Sequence, residues 1–501
     1  MISKPKRLHP ATLLFFLYKD IKNWIIPVAI FVFSTYNQSK VWSLLGLFAV
    51  IVLIIASDLL KYFTFSYQFF DDEILVKSGI LVKKVNHIPY DRIQNVTTNQ
   101  WFFLKPFKLE ELEIETAGHS EGPEVTLAAV SVELKNELNR HRKKFNSADV
   151  TQNVSQETFS ESTLTEQVSD QRNIQSYVIT WGELLKFSLT SPAFLSGLLV
   201  VLAFYGKIQH SISKQFYKVA AQEFTHLGLL LVIIGLLLVL LIFYVISVVV
   251  LIAKYYHFQL EKEGSQFQMQ YGFFKTKKTS ISQNRIQAVV VKQTLLRRMM
   301  HIASVKLVII SNSQKEETEK DIIIMPVIET RNLNDFFKKF FPHIPIDDLE
   351  TANANSRTYY YDLRNALIFS LLTDLIFGVM LFKASIWWVV GVIIVSAMFW
   401  LPEAYLNARR AQISLISENY MFLQNNQVTS KNSYFVPKNS IQLLERRQSI
   451  WLSKKRFAHI LLSCRSGVGE RILKIKYLPQ HQIDEVVEWY KRGGNAASGQ
   501  Q

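Results

Sequence analysis

The hydrophobic positions of this chain fall into long blocks separated by charged stretches. The longest block, residues 227–253, has no charged side chain in 27 residues, and residues 41–57 and 386–402 form two similar runs. At about 1.5 Å per residue, runs of this length match the roughly 30 Å hydrocarbon core of a bilayer. The pattern predicts a transmembrane helix at each block.

Each block has a weaker apolar partner a short distance upstream. These partners lie near residues 23–36, 187–205 and 365–382 and are interrupted by Pro27, Pro192 and Asp374, respectively. A buried helix of a soluble domain is the alternative for them. Because the pairing is regular and the connections are short, we expect three helical hairpins with six membrane spans.

The hairpin tips contain few of the basic residues of the chain, namely Lys40, Lys207, Lys214, Lys218 and Lys383. The positive-inside rule therefore places both termini and the segments after each hairpin in the cytoplasm. Charges at Lys19, Asp20 and Lys22 interrupt the first apolar run, and no cleavage-site pattern follows it. This start is typical of a membrane anchor and not of a removed signal peptide.

The segments between the hairpins repeat one another. A shift of 193 residues takes Gly79 to Gly272 and Arg92-Ile93-Gln94 to Arg285-Ile286-Gln287, and a further shift of 155 takes Gln293 to Gln448. Internal repeats of this kind define the unit of the fold before any local feature does. The unit is a helical hairpin followed by a cytoplasmic segment.

Each cytoplasmic segment has a β-rich pattern that ends in a helical one. Alternating runs flank Ser78-Gly79 and Tyr271-Gly272, as in β-hairpins. Strand-like runs follow at residues 112–116, 305–309 and 460–464, and helix-period stretches close the segments at 131–145, 328–341 and 480–492. The pattern predicts an α+β membrane protein whose cytoplasmic domains are small curved sheets or barrels, each with a C-terminal helix.

The layout resembles the bacterial pleckstrin-homology-like (PH-like) domains of the YdbS/YdbT-type multi-pass membrane proteins. The resemblance rests on the glycine turns and on Ile88 to Gln94, and its three-unit arrangement is most like the YdbT type. It implies a seven-stranded PH-like fold with a C-terminal helix, no established chemistry, and a smaller PH-like membrane protein as companion. The third repeat departs from the motif, with Ser440 for the arginine and Gln427 for the glycine.

These patterns set the domain boundaries. We expect transmembrane hairpins at 12–60, 181–253 and 361–403, PH-like domains at 61–145, 254–345 and 404–493, and a flexible linker at 146–176. The linker is rich in Ser, Thr, Gln and Asn and cannot bury a core.

Charge distinguishes the repeats. The chain has 56 basic and 41 acidic residues, a net charge of +15. The first PH-like segment has 12 of each kind and is neutral, whereas residues 254–345 have 15 basic and 8 acidic and residues 403–493 have 15 and 7. An anionic membrane surface would attract the second and third segments. Nucleic acid is not expected as a partner, because no groove-reading helix or base-stacking motif accompanies the charge.

One short pattern recurs in all three repeats: a glutamine, an apolar pair and then basic residues. Its candidate contact residues are Phe102, Phe103, Lys105 and Lys108 in the first copy, Leu295, Leu296, Arg297 and Arg298 in the second, and Ile450, Trp451, Lys454, Lys455 and Arg456 in the third. Such a pattern suits the lipid headgroup zone, with apolar side chains inserted and cations near acidic lipid. The alternative is that the apolar pair plugs the core of the domain while the cations are solvated.

Signatures of catalysis are absent from the sequence. The histidines have no metal-ligand spacing, no phosphate-binding loop or GxSxG occurs, and the single cysteine, Cys464, lies in a predicted strand where an inert buried thiol is expected. We therefore expect no cofactor and a non-catalytic binding or scaffolding protein at the plasma membrane. The alternative is a membrane carrier, or a subunit of one, with the intramembrane Asp374 in its path.

Overall fold

The computed structural model describes most of the chain. The described residues are 5–36, 40–80, 82–116, 123–138, 140–141, 175–191, 228–310, 321–346, 356–380, 386–427, 430–466 and 469–497. The chain forms two compact units. The first comprises Met1–Asn173, Tyr177–Glu261 and Gln268–Ile281, and the second comprises Ile174–Ser176, Lys262–Phe267 and Ser282–Gln501.

Long helices occupy the apolar blocks and short ones follow the strands. The helices are α1 (Thr12–Tyr36), α2 (Lys40–Thr64), α3 (Trp181–Leu189), α4 (Gly228–Tyr255), α5 (Leu295–Met299), α6 (Leu333–Phe340), α7 (Ser356–Met380), α8 (Ile386–Arg410), α9 (Ile450–Ser453) and α10 (Gln480–Ala497). Residues 133–138 are also helical. Helix α1 packs on α2 and α7 packs on α8, which are the first and third predicted hairpins.

The structure supports three of the six predicted membrane spans. Among the described residues, three helical segments are long and apolar enough to cross a membrane: Lys40–Thr64, Leu237–Tyr255 and Val389–Arg410. Helices α1 and α7 are 25 residues long but carry charged side chains within their length. Most of the weaker span predicted near residues 187–205 lies outside the described residues.

The first repeat has six strands: β1 (Ser66–Phe69), β2 (Glu73–Ser78), β3 (Lys84–Pro89), β4 (Ile93–Trp101), β5 (Leu109–Thr116) and β6 (Val125–Ser131). After β7 (Gln175–Val178), the second repeat has β8 (Gln259–Glu263), β9 (Gln266–Tyr271), β10 (Lys275–Ser282), β11 (Ile286–Thr294), β12 (Ile302–Ile309) and β13 (Asp321–Glu329). The third has β14 (Gln412–Leu415), β15 (Tyr420–Gln427), β16 (Ser430–Pro437), β17 (Ile441–Arg447), β18 (Phe457–Ser466) and β19 (Gly469–Pro479).

These strands confirm the predicted β-hairpins and the later strand of each repeat. The closing helices are confirmed by helical residues 133–138, α6 and α10. The strands differ from expectation in two places. Each repeat contributes six described strands and not the seven that the resemblance implies. The last residues of the predicted linker, Gln175 and Ser176, begin strand β7, and residues 146–174 lie outside the described part of the chain.

Neighbouring repeats share their sheets. The strand orders are β1-β2-β3, β6-β5-β4-β10-β9-β8-β7, β13-β12-β11-β16-β15-β14 and β17-β18-β19. The second three strands of one repeat thus continue edge to edge into the first three of the next. Strand β4 pairs with β10 over Thr98–Trp101, and β11 pairs with β16 over Val289–Thr294. Because sheets cross the repeat boundaries, the two compact units do not coincide with the three repeats.

The repeated glycines are required by backbone geometry. Gly79 and Gly272 have φ angles of 106° and 116°, in the region that side chains disfavour. A Cβ atom at either position would lie 2.0 Å from a backbone carbonyl oxygen, that of Val82 or Lys275. No other residue type fits these turns without a shift of the backbone.

The third repeat is closed by a core that it shares with strands β11 and β12 of the second repeat. Strands β18 and β19 pack against the shared sheet through Ile460, Leu462, Leu473 and Ile475, with Ile483 of α10 beneath them. Cys464 belongs to this core and is almost fully buried, as predicted. Burial raises the pKa of its thiol to about 12, so the thiol is unreactive at neutral pH.

Candidate membrane-contact loops

The recurrent glutamine has the same structural role in all three repeats. Its side-chain amide donates a hydrogen bond to the backbone carbonyl nine residues later. The pairs are Gln100 with Leu109 (3.3 Å), Gln293 with Ile302 (3.3 Å) and Gln448 with Phe457 (2.9 Å). The glutamine therefore closes the loop that joins the fourth and fifth strands of each repeat.

The residue just before each acceptor is also equivalent. Lys108, His301 and Arg456 have φ angles of 53°, 53° and 57°, in the left-handed region. Their carbonyl oxygens accept backbone N–H bonds from Val132 (3.3 Å), Thr330 (2.9 Å) and Gln480 (2.9 Å), where each repeat turns into its closing helix. The backbone of each loop is thus fixed at both ends.

The apolar pair is exposed in the second and third copies, whereas in the first copy Phe102 is exposed and Phe103 packs against a small core. Phe102 is 55% exposed, Leu295 and Leu296 are 51% and 54% exposed, and Ile450 and Trp451 are 78% and 80% exposed. Phe103 is half-buried. The next residue is the one that points inward in each copy: Leu104, Arg297 and Leu452 are buried. Apart from Phe103, the apolar side chains therefore point outward on a loop that the following residue anchors.

The first loop lies at the base of the first helical hairpin. Trp101 contacts α1 through Phe15 and Tyr18, with ring centroids 6.4 Å and 4.8 Å apart, and Phe103 lies 5.9 Å from Tyr18. Leu104 packs with Ala11 in the same small core. The exposed Phe102 is therefore held close to the start of α1.

The third loop has the equivalent position in its own hairpin. Leu452 and Phe457 pack with Tyr361 of α7 and with Tyr477. The ammonium of Lys455 lies 5.8 Å from the centroid of the Tyr361 ring. The exposed Ile450 and Trp451 are thus close to the start of α7.

An exposed aromatic patch also adjoins the end of the longest apolar helix. The Phe102 N–H donates to the Phe274 carbonyl (2.8 Å), and their ring centroids are 6.2 Å apart. Phe273 and Phe274 are about half exposed, and with Tyr256 they line a cleft of about 540 Å³. The Phe273 N–H bonds to the carbonyl of Ala253 (2.9 Å), which ties this turn to the last residues of α4.

Arg297 departs from its predicted role. It is 7% exposed, and its guanidinium donates to the hydroxyl of Ser304. The other predicted contact cations are on the surface: Lys105, Lys108, Arg298, Lys454, Lys455 and Arg456. The second loop therefore presents Leu295, Leu296 and Arg298 outward but directs Arg297 into the domain.

Asp374 takes part in a polar cluster between α7 and α8. It accepts a hydrogen bond from Ser370 (3.4 Å), which lies 3.0 Å from Ser396 of the neighbouring helix. Thr373 is 2.8 Å from the same Ser396 hydroxyl. The hydroxyls of Ser370, Thr373 and Ser396 therefore join the two helices, and Asp374 bonds to Ser370 within its own helix. In the described part of the chain, no group of three or more His, Cys, Asp or Glu side chains could hold a metal ion.

Comparison with known proteins agrees with this architecture. The model of the bacterial PH domain family matches residues 24–164 and 216–336, which cover most of the first two repeats and part of the predicted linker. A transmembrane protein of Bacillus subtilis (strain 168), YdbT, is 23% identical over 98% of this chain and 99% of its own length. No solved structure gives a significant match. The chain belongs to the bacterial PH domain family.

Proposed function

We propose that this membrane-associated bacterial PH-domain protein is a non-catalytic scaffold that docks on the inner leaflet through its three loops. The observation that carries the proposal is the position of the exposed apolar tips. Phe102, Ile450 and Trp451 are presented to solvent beside the first helix of their own helical hairpins. Aromatic side chains at the ends of spanning helices favour the membrane–water interface.

The orientation proposed for the chain keeps the predicted six spans as three hairpins. Both termini and all β-rich segments then lie in the cytoplasm, where the leaflet is anionic. The exposed cations of the loops are placed to meet acidic headgroups, each contributing about 1 kcal/mol near the surface. Because the hairpins tether the loops, weak contacts add through effective concentration. A smaller PH-like membrane protein is the proposed companion for the neutral first repeat.

The proposal is tested by the depth of a probe in the bilayer. Trp451→Cys provides a labelling site at the tip of the third loop, and the native Cys464 does not interfere because it is buried. The labelled full-length protein is reconstituted into anionic nanodiscs whose lipids carry a quencher on their acyl chains. We expect this quencher to reduce the fluorescence of the label at position 451.

The control variant is Ile472→Cys. Ile472 is 51% exposed on β19 and pairs with Ser463, six residues along β18 from Phe457. At about 3.3 Å per residue, that position is roughly 20 Å from the loop. Equal quenching at the two positions, or water-like exposure of both, would contradict docking by the loop.

The carrier function remains the alternative, and Asp374 separates the two. Asp374→Asn preserves the shape of the side chain and a hydrogen bond to Ser370 while removing the charge. A scaffold tolerates this change, with unchanged folding and unchanged probe depth at position 451. A carrier with Asp374 in its path loses its cellular function while the folded protein persists in the membrane.

A further inference from the structure

The second unit contains a partly buried cluster of cations that the loops do not explain. It lies on the sheet shared by the second and third repeats. Lys292 of β11 pairs with Ser304 of β12 on one side and with Asn432 of β16 on the other. Lys306 pairs with Val290 and so occupies the same face of the sheet, one diagonal step away.

Two arginines reach this face from other elements. Arg297, directed inward from the second loop, donates to Ser304. Arg471 of β19 lies across the face, where it forms an ion pair with Asp321 and donates to the Tyr434 hydroxyl (3.4 Å). The cluster thus combines four cations with the carboxylate of Asp321.

The cations lie where the apolar core ends. Val290, Val308 and Tyr434 of the same sheet face are buried against β18 and β19. Lys292 and Lys306 follow next to them and are half-buried. Burial together with the nearby cations Lys306, Arg297 and Arg471 lowers the pKa of Lys292, against the opposing effect of Asp321. The fold therefore holds an excess of positive charge in a place where water compensates it poorly.

The equivalent face at the first junction carries acids beside lysines, such as Glu111 beside Lys275. The 193-residue shift aligns Lys292 with Asn99, Ser304 with Glu111 and Lys306 with Glu113. There, Asn99 and Glu111 pair on neighbouring strands, and Glu111 is buried. The same position in the same fold therefore carries acids in one repeat and bases in the next, so the sheet geometry itself does not require lysines.

We propose that Lys292, Lys306, Arg297 and Arg471 form a binding site for a phosphate group. Planar guanidinium groups and flexible ammonium groups are the side chains that bind phosphate in proteins. Lys292, Lys306 and Arg471 are half-buried and reachable from solvent, and Arg297 is the buried member of the site. The phosphate comes either from a phospholipid headgroup or from free phosphate in solution.

The test uses the full-length chain in detergent and follows thermal unfolding with a dye that reacts with Cys464 when the core opens. Titration with inorganic phosphate should raise the unfolding midpoint in a saturable manner, compared with chloride at equal ionic strength. In Lys292→Gln/Lys306→Gln, the apparent affinity for phosphate should fall at least roughly tenfold, equivalent to about 1.4 kcal/mol.

The matched control removes the same charge from the outer face of β19, which faces away from the cluster. Lys474 and Lys476 of β19 are exposed and alternate with the core residues Leu473 and Ile475. Lys474→Gln/Lys476→Gln should keep the full phosphate effect. In chloride, Lys292→Gln/Lys306→Gln should unfold at the same temperature as the wild type or higher, because repulsion among these partly buried cations is relieved. An equal phosphate effect in all three proteins, or its loss in both variants, would overturn the site.

Nanodiscs distinguish the two sources of phosphate. If the ligand is a headgroup, phosphatidylglycerol discs stabilise the wild type more than phosphatidylcholine discs do, the Lys292→Gln/Lys306→Gln variant loses the difference, and added phosphate has little further effect. If the ligand is free phosphate, the shift is the same in both kinds of disc. Absence of any phosphate or lipid effect on the wild type refutes the proposal even if probe depth at position 451 supports docking.

Discussion

At the scale of single residues, the glutamine of each loop shows why the sequence pattern repeats. Its amide satisfies a carbonyl at the start of the fifth strand, where the chain has just passed through a left-handed residue. A buried carbonyl without a partner costs about 1–3 kcal/mol. The glutamine thus stabilises the fold, and the apolar pair beside it is available to contact other molecules.

Gln448→Ala tests this role. Gln448 donates to the carbonyl of the buried Phe457 at 2.9 Å, so its loss should lower the free energy of unfolding by about 1–2 kcal/mol. Gln442→Ala, on the preceding strand β17, removes an exposed glutamine and should change the free energy of unfolding by less than about 0.5 kcal/mol. Denaturant titration of the solubilised chain measures both values. Similar losses in the two variants would show that the hydrogen bond is not the cause.

His459 makes the stability of the third repeat depend on pH. Burial, with Lys474 and Lys476 nearby, lowers its pKa from 6.5 to about 4, and its Nδ1 accepts the Tyr477 N–H at 3.0 Å. The unfolded chain takes up a proton near pH 6.5 while the folded chain does not. Stability should therefore fall as the pH decreases from about 6.5 to about 4.

Unfolding midpoints measured across that window should decline more steeply in the wild type than in His459→Gln, which has no proton to gain. The variant will be less stable at neutral pH if its amide replaces the imidazole poorly. The comparison therefore uses the slope of the unfolding midpoint against pH and not the midpoint itself. Identical slopes for the two proteins would mean that another group governs the acid response.

Arg297 shows where sequence reasoning failed and what signal would have corrected it. A run of two leucines and two arginines favours an outward basic pair, yet the short α5 helix turns Arg297 inward. The repeat shifts align Arg297 with Leu104 and Leu452, both buried. Two apolar counterparts at one position indicate an inward direction, which the local pattern of α5 alone does not reveal.

At the scale of elements, the sequence predicts strands and turns well but not their partners. Gly79 and Gly272 mark hairpins because backbone sterics leave no alternative, and alternation marks the flanking strands. Pairing between β4 and β10, or between β11 and β16, joins residues more than 130 positions apart. The alternating pattern shows that a segment forms a strand but not which strand it pairs with. The pairing of strands from different repeats therefore cannot be predicted from the local sequence.

This continuity predicts that a single repeat is a poor independent fragment. Residues 254–345 alone would lose β4 from the edge of β10 and β16 from the edge of β11. Unpaired edges recruit other chains, so the fragment should self-associate. Light scattering after size-exclusion chromatography measures this directly. A stable monomer with a native-like circular dichroism spectrum would show that the shared sheets are dispensable.

At the scale of the whole molecule, composition and hydrophobic blocks predicted a membrane protein with a large β-rich portion, and the family assignment agrees. Within the described residues, three helices meet the length and composition of a span, whereas α1 and α7 carry charged side chains. Hydropathy alone cannot rank such helices, because a charged side chain near a span end reaches the interface at small cost. The proposed function therefore depends most on which side of the membrane the β-rich segments lie.

The most direct test is labelling of Ile472→Cys with a membrane-impermeant maleimide. Ile472 is exposed on β19, and the only native thiol, Cys464, is buried with a raised pKa. A cytoplasmic β-rich portion predicts rapid labelling in inside-out vesicles and protection in right-side-out vesicles until detergent is added. Labelling in sealed right-side-out vesicles would place the third repeat outside the cell and contradict docking on the inner leaflet.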